Sequence, residues 1–130
     1  MNITVLGSGG WGTALALLLL ENGHRVTLWS YMEEESARLR ADRENPVLKG
    51  VPLPEDLALT ADMSCVKGCG AVVVATPSFA VRSTARQVRD LLDPGTVLVS
   101  VSKGVEKESS CTLTECIAQE VGAGHPVVAL

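Results

Sequence analysis

The chain of 130 residues predicts a doubly wound parallel α/β sheet, in which strands and helices alternate along the sequence. Three observations carry that prediction. Six short apolar segments, at residues 3–6, 25–30, 57–60, 71–75, 96–101 and 126–130, recur with helical or turn-forming stretches between them. Ala71-Val72-Val73-Val74-Ala75 is apolar throughout, as a strand covered on both faces requires. Gly7-Ser8-Gly9-Gly10-Trp11-Gly12 joins the first apolar segment directly to the leucine-rich run ending at Leu20, a strand–turn–helix junction with glycines at fixed offsets.

Each element follows from local chemistry. Ile3-Thr4-Val5-Leu6 reads as a strand, and the helix after the glycine turn stops at Asn22-Gly23-His24-Arg25. His24, inside that stop, is expected to cap or pack. Arg25–Ser30 is the second strand, with Trp29 as a core residue. Glu33–Arg40 is an exposed helix, acidic at its start and basic at its end, as the helix dipole prefers. Residues 45–54 hold Pro46, Pro52, Pro54 and Gly50 and are expected to be a loop without helix. Leu57–Thr60 is a weak third strand, and Asp62 caps a short helix ending near Gly68. After the strand at 71–75, Thr76-Pro77-Ser78 breaks the pattern. Phe79–Leu92 has helical spacing and is stopped by Asp93-Pro94-Gly95. Thr96–Val101 is the fifth strand, Ser109–Val121 a helix closed by Gly122 and Gly124, and Pro126–Leu130 the sixth strand. Right-handed crossovers then give the Rossmann order 3-2-1-4-5-6, a single three-layer α/β/α domain over residues 1–130.

Composition narrows the function. The chain is 46% hydrophobic and 20% charged, with a net charge of −4 and no basic stripe, which argues against a nucleic-acid partner. No apolar run is long enough to span a membrane, and a strand starting at residue 3 leaves no room for a signal peptide, so the expectation is a cytoplasmic protein. Cys65 and Cys69, and Cys111 and Cys116, lack the spacing of a zinc knuckle or a redox pair and are expected as free thiols. His24 and His125 are too isolated to suggest a metal site, and no metal is expected.

The glycine turn is where chemistry is expected. Gly7 supplies the tight turn, Gly9 removes a side chain that would block a pyrophosphate, and Gly12 lets the helix lie close on the strand. Unpaired N–H groups in the helix's first turn, with its dipole, favour a phosphate anion. The expected ligand is a dinucleotide. In such sheets ligands lie beyond the carboxyl ends of the strands, which puts Gly7–Gly12, Thr76–Ser78 and Ser102–Gly104 on one rim. Lys103 there is either a solvated surface lysine or an ammonium that attracts a substrate phosphate and polarises a carbonyl. Trp11 either covers the cofactor or plugs the gap to a neighbouring loop, and a mixed role is expected.

Three stretches resemble the N-terminal domain of the bacterial NAD(P)-dependent glycerol-3-phosphate dehydrogenase family. They are Gly7–Ala16 with its Trp-Gly-Thr-Ala segment, Asn22–Trp29 followed by Asn45-Pro46 and Leu53-Pro54, and Ser100–Glu106 with its Ser-Lys-Gly-Val-Glu string. The resemblance implies that Gly10 and Trp11 contact the cofactor and that Tyr31 lines the adenosine pocket. It also implies that Pro77 and Ser78 form the loop over the nicotinamide and that Lys103 touches both cofactor and glycerol phosphate. Gly10 stands where the family turn commonly has serine, which loosens the loop. No carboxylate stands at the tip of the second strand, where an acid selects NAD, and Arg38 and Arg40 lie too far along to assign to a 2′-phosphate. The expected cofactor is therefore NAD or NADP.

By the same resemblance, residues 1–130 are the cofactor domain of an enzyme interconverting dihydroxyacetone phosphate and sn-glycerol 3-phosphate, for phospholipid synthesis. A helical domain holding the proton-transferring lysine would follow. No catalytic residue is then expected within these residues, and the uncovered domain face favours self-association, a homodimer included. Two rivals stand beside this reading. One is a dehydrogenase of the 6-phosphogluconate, ketopantoate or nucleotide-sugar type, and the other is a non-catalytic NAD(H)-sensing module.

Overall fold

A computed structural model describes all residues from Met1 to Leu130. Its six strands are β1 (Asn2–Leu6), β2 (Arg25–Trp29), β3 (Ala58–Thr60), β4 (Ala71–Val74), β5 (Val97–Ser100) and β6 (Val127–Ala129). They form one sheet in the order β3-β2-β1-β4-β5-β6, every pair parallel. This is the expected order. Register is continuous across the centre, with Val5 beside Leu28 on one side and Val73 on the other.

Four helices cover the sheet: α1 (Gly10–Glu21), α2 (Glu33–Asp42), α3 (Val81–Val88) and α4 (Leu113–Val121). The two-residue period of each strand divides the core. Ile3, Val5, Val26, Leu28 and Val73 join Ala16 of α1 and Leu39 of α2 on one face. Leu6, Val72, Val74 and Leu98 join Val81, Ala85 and Val88 of α3 and Leu113 and Ile117 of α4 on the other. Two separate apolar clusters, one per face, are what three layers require.

Helix ends follow their capping chemistry. Helix α1 ends with His24 N–H donating to Leu19 O and Gly23 N–H to Leu20 O, the paired bonds of a Schellman stop. Helix α4 starts at a capping box, in which Thr112 and Glu115 exchange hydrogen bonds. That box corrects the expected start at Ser109. The helix expected over Phe79–Leu92 is shorter: Ser78–Ala80 form a 3-10 turn after Pro77, α3 spans only Val81–Val88, and Leu91 N–H turns back to Val88 O. The loop at 45–54 contains one 3-10 turn, Pro46–Leu48, because Asn45 Oδ1 accepts from Val47 N–H and Pro46 sits at the first position. Asp62 caps as expected, but the helix it starts is a single 3-10 turn, Met63–Val66. All four cysteines are free thiols.

Candidate functional site

The C-terminal ends of β1 and β4 part to open a cleft of about 740 Å³. Its lining includes Gly7, Gly9, Gly10, Trp11, Gly12, Tyr31 and Pro77, seven of the nine positions expected from sequence. Ser78 and Lys103 are exposed and lie outside this lining. Lys103 nevertheless stays on the same rim, because Ser102 Oγ donates to Thr76 O at 2.6 Å and ties its loop to the β4 end.

Two glycines make the turn by geometry. Gly7 has a φ of +116°, and a Cβ there would stand 2.6 Å from Ala75 O. At Gly12 a Cβ would collide with Gly7 O. Gly9 meets nothing within 4 Å, so the space before it is open rather than packed. Gly10 is the first residue of α1, and a Cβ there would touch only Val47 O at 3.8 Å. The absence of a side chain at position 10 is therefore not dictated by packing.

The helical ladder of α1 begins with Thr13 N–H donating to Gly9 O at 3.0 Å, which leaves the N–H groups of Gly10, Trp11 and Gly12 without acceptors. These groups and the helix dipole face the cleft mouth. Asn45 holds the turn from outside: buried, it donates to Ser8 O at 2.8 Å and to Thr13 Oγ1 at 2.9 Å. Thr76 Oγ1, buried beside the turn, has no hydrogen-bond partner. A cradle that a Cβ would fill, donors without acceptors and a buried hydroxyl without a partner fit an elongated phosphate-bearing ligand.

Aromatic residues rim the same cleft. Trp11 is 61% exposed, Tyr31 74% and Phe79 88%. With most of its ring in solvent, Trp11 lies at the rim of the cleft rather than in its core. Trp29 is core, as expected, with its Nε1–H donating to Ala61 O at 3.0 Å, and Tyr31 meets it edge-on at 6.3 Å.

Sequence reasoning missed Glu35. Its carboxylate enters the cleft from the first turn of α2, accepting a hydrogen bond from Ser8 Oγ. Arg40 is committed elsewhere, to Glu33, Ser36 Oγ and Leu59 O, and Arg38 is exposed outside the cleft lining. Phe79, Thr84 and Gln87 were also missed. Their signal was the spacing of the helix after β4, which does not reveal which face looks along the sheet edge.

The loop carrying Lys103 is anchored by charge. Arg82 of α3 donates to Glu106 Oε2, Glu120 Oε2 and Gln119 Oε1, each at 2.8 Å. The Arg82 guanidinium and the Ser109 hydroxyl hold the Glu106 carboxyl below its ordinary range. Arg86, then Arg82, draw Glu120 down to about 2. Glu106, the last residue of the Ser-Lys-Gly-Val-Glu string, is thus a structural tether.

A second cleft of about 700 Å³ opens at the opposite, N-terminal edge of the strands, near His24, Lys67 and Cys65. Burial pushes the Cys65 thiol up to about 11, so it stays protonated and unreactive near neutrality. His125, expected to be no ligand, bonds Thr96 O through its ring at 3.0 Å.

Known proteins share both the sequence and the shape. A glycerol-3-phosphate dehydrogenase [NAD(P)+] of Moorella thermoacetica is 46% identical over 121 residues, 92% of this chain and 36% of its own length. The enzyme of the same name from Fusobacterium nucleatum is 38% identical over 132 residues, covering 100% of this chain and 39% of its own. The crystal structure of the Coxiella burnetii glycerol-3-phosphate dehydrogenase superposes with a TM-score of 0.89 at 35% identity, over 98% of this chain and 39% of that one. The chain thus spans about two-fifths of the length of these relatives. The family model described as NAD-dependent glycerol-3-phosphate dehydrogenase N-terminus matches residues 2–130, and the chain belongs to that family.

Proposed function

We propose that the chain is the cofactor-binding part of an oxidoreductase interconverting dihydroxyacetone phosphate and sn-glycerol 3-phosphate with NAD(P)H. The observation that carries this reading is the glycine turn, with three unpaired N–H groups at the mouth of α1 facing a 740 Å³ cleft. Those amides of Gly10, Trp11 and Gly12 hold the pyrophosphate, which the bare face of Gly9 lets approach. Tyr31 lines the adenosine end, and Pro77 and Ser78 flank the nicotinamide end. The exposed rings of Trp11 and Phe79 cover the cofactor and exclude water. A nicotinamide held there would supply the hydride chemistry of the reaction. From the rim, the Lys103 ammonium draws the substrate phosphate and stabilises charge developing on the carbonyl oxygen. The proton for that oxygen comes from outside residues 1–130, since the titratable side chains lining the cleft are Tyr31 and Glu35, at its adenosine end.

The same reading makes the product a precursor for glycerophospholipid synthesis in the cytoplasm. The uncovered aromatic rim favours a homodimer, or cover by a further part of a longer chain. Titrating the 130-residue chain with NADH and NADPH tests the cofactor assignment, with amide resonances of residues 7–13 expected to shift. If neither dinucleotide moves them, the reading fails. A substrate panel on the longer enzyme separates the rivals. A ketopantoate or 6-phosphogluconate dehydrogenase would ignore dihydroxyacetone phosphate, and an NAD(H)-sensing module would turn over nothing.

A further inference from the structure

The 17 residues that line the cleft include one with a formal charge, Glu35. Its orientation is built rather than incidental. Buried Ser30, just past β2, donates its hydroxyl to Ser8 Oγ at 2.9 Å, and Ser8 Oγ in turn donates to Glu35 Oε1. A hydroxyl has one proton, so the Ser30 donation commits that of Ser8 to the carboxylate. Glu35 Oε2 has no partner and remains an acceptor toward the cleft. Two further carboxylates, Glu33 and Glu34, share the first turn of α2. No cation answers them inside the cleft: Arg40 is spent on Glu33, Ser36 and Leu59, and Arg38 lies outside the lining.

From this arrangement we infer that Glu35 selects the dinucleotide whose adenosine ribose carries a free 2′-hydroxyl and rejects the 2′-phosphorylated form. The inference rests on the cofactor reading above and decides what that reading leaves open. A ribose hydroxyl can donate to a carboxylate, whereas a phosphomonoester there adds about two negative charges beside a fixed one. Parallel sheets of this order put that ribose at the carboxyl end of the second strand, where Ser30 and Ser8 hold Glu35. The acid arrives from α2 rather than from the strand tip.

Titration of the 130-residue chain with NADH and with NADPH, followed by tryptophan fluorescence, tests it. NADH is expected to bind at least about tenfold more tightly at low salt, with the ratio shrinking as salt screens the repulsion. Glu35→Gln should bring the two affinities to within about threefold, chiefly by tightening NADPH, while the thermal melt stays unchanged because Glu35 is half exposed. Arg38→Ala should alter neither. Equal binding by the unaltered chain, an undiminished ratio in Glu35→Gln, or loss of NADPH binding in Arg38→Ala would each overturn the inference while leaving the cofactor reading intact. Failure of both dinucleotides to bind would remove the two together.

Discussion

Gly9 and Gly12 stand three residues apart in one turn for different physical reasons. A Cβ at position 12 would collide with the carbonyl of Gly7, a backbone atom that cannot move aside without breaking the turn. Gly12→Ala is expected to cost about 3 kcal/mol or more in urea denaturation. Position 9 is open, so Gly9→Ala should cost no more than about 1 kcal/mol as a weakened helix cap. Its dinucleotide affinity should nevertheless fall, because the new methyl group would occupy the open space before the turn that the proposed pyrophosphate needs. Comparable stability losses in the two variants would contradict this division. Asn45→Ala should cost about 2–3 kcal/mol by the same measurement, since Ser8 O and Thr13 Oγ1 lose their buried donor. The glycines were legible from their spacing alone. Glu35 was not, because a search for an acid at the strand tip finds only Trp29, Ser30, Tyr31 and Met32. Its place in the cleft depends on how the first turn of α2 leans back over Ser8.

Among the elements, α3 and α4 are joined by charge as well as by apolar packing. Arg82 and Arg86 of α3 and Arg89, which caps its C-terminus, lie about a turn apart, and all three approach the Glu120 carboxylate of α4. A carboxyl held at about 2 in the folded chain, against an ordinary value of 4.5, gives stability that is fully present above about pH 4.5. That stability is lost as pH falls toward 2, when the folded form must also take up the proton. Thermal melts should therefore drop across this window, and Glu120→Gln should lower the neutral-pH melting temperature while flattening the acid limb. An acid limb of the same steepness in the variant would show that other carboxylates set it. The six strands and four α-helices were legible, but their boundaries and the 3-10 turns at Pro46–Leu48 and Met63–Val66 were not. Helical spacing in residues 79–92 does not reveal that Phe79 is exposed beside the cleft or that Leu91 turns back on Val88. Helix α4 starts not at Ser109 but after Thr112, whose capping box with Glu115 is a Thr-x-x-Glu signal present in the sequence.

For the whole molecule, the prediction is that the 130-residue chain binds a dinucleotide yet does not reduce dihydroxyacetone phosphate. Lys103 stands on the rim, but the one carboxylate lining the cleft, Glu35, is held beside Ser8 at the glycine turn. Measurable turnover by the purified chain, free of host enzyme, would refute it. The resemblance visible in three motifs agrees with the family match over residues 2–130. The alternation of strands and helices, the two-faced core and the glycine turn were written in local period and in glycines whose offsets are set by backbone contact, and the strand order followed from the right-handed crossovers that such an alternation requires. Packing across the sheet edge, by contrast, brings Glu35 into the cleft and leaves Ser78 and Lys103 outside its lining. It also makes Glu106 a tether. Those outcomes depend on where separate helices and loops come to rest across the sheet edge, a relation between residues distant in sequence that no local pattern records.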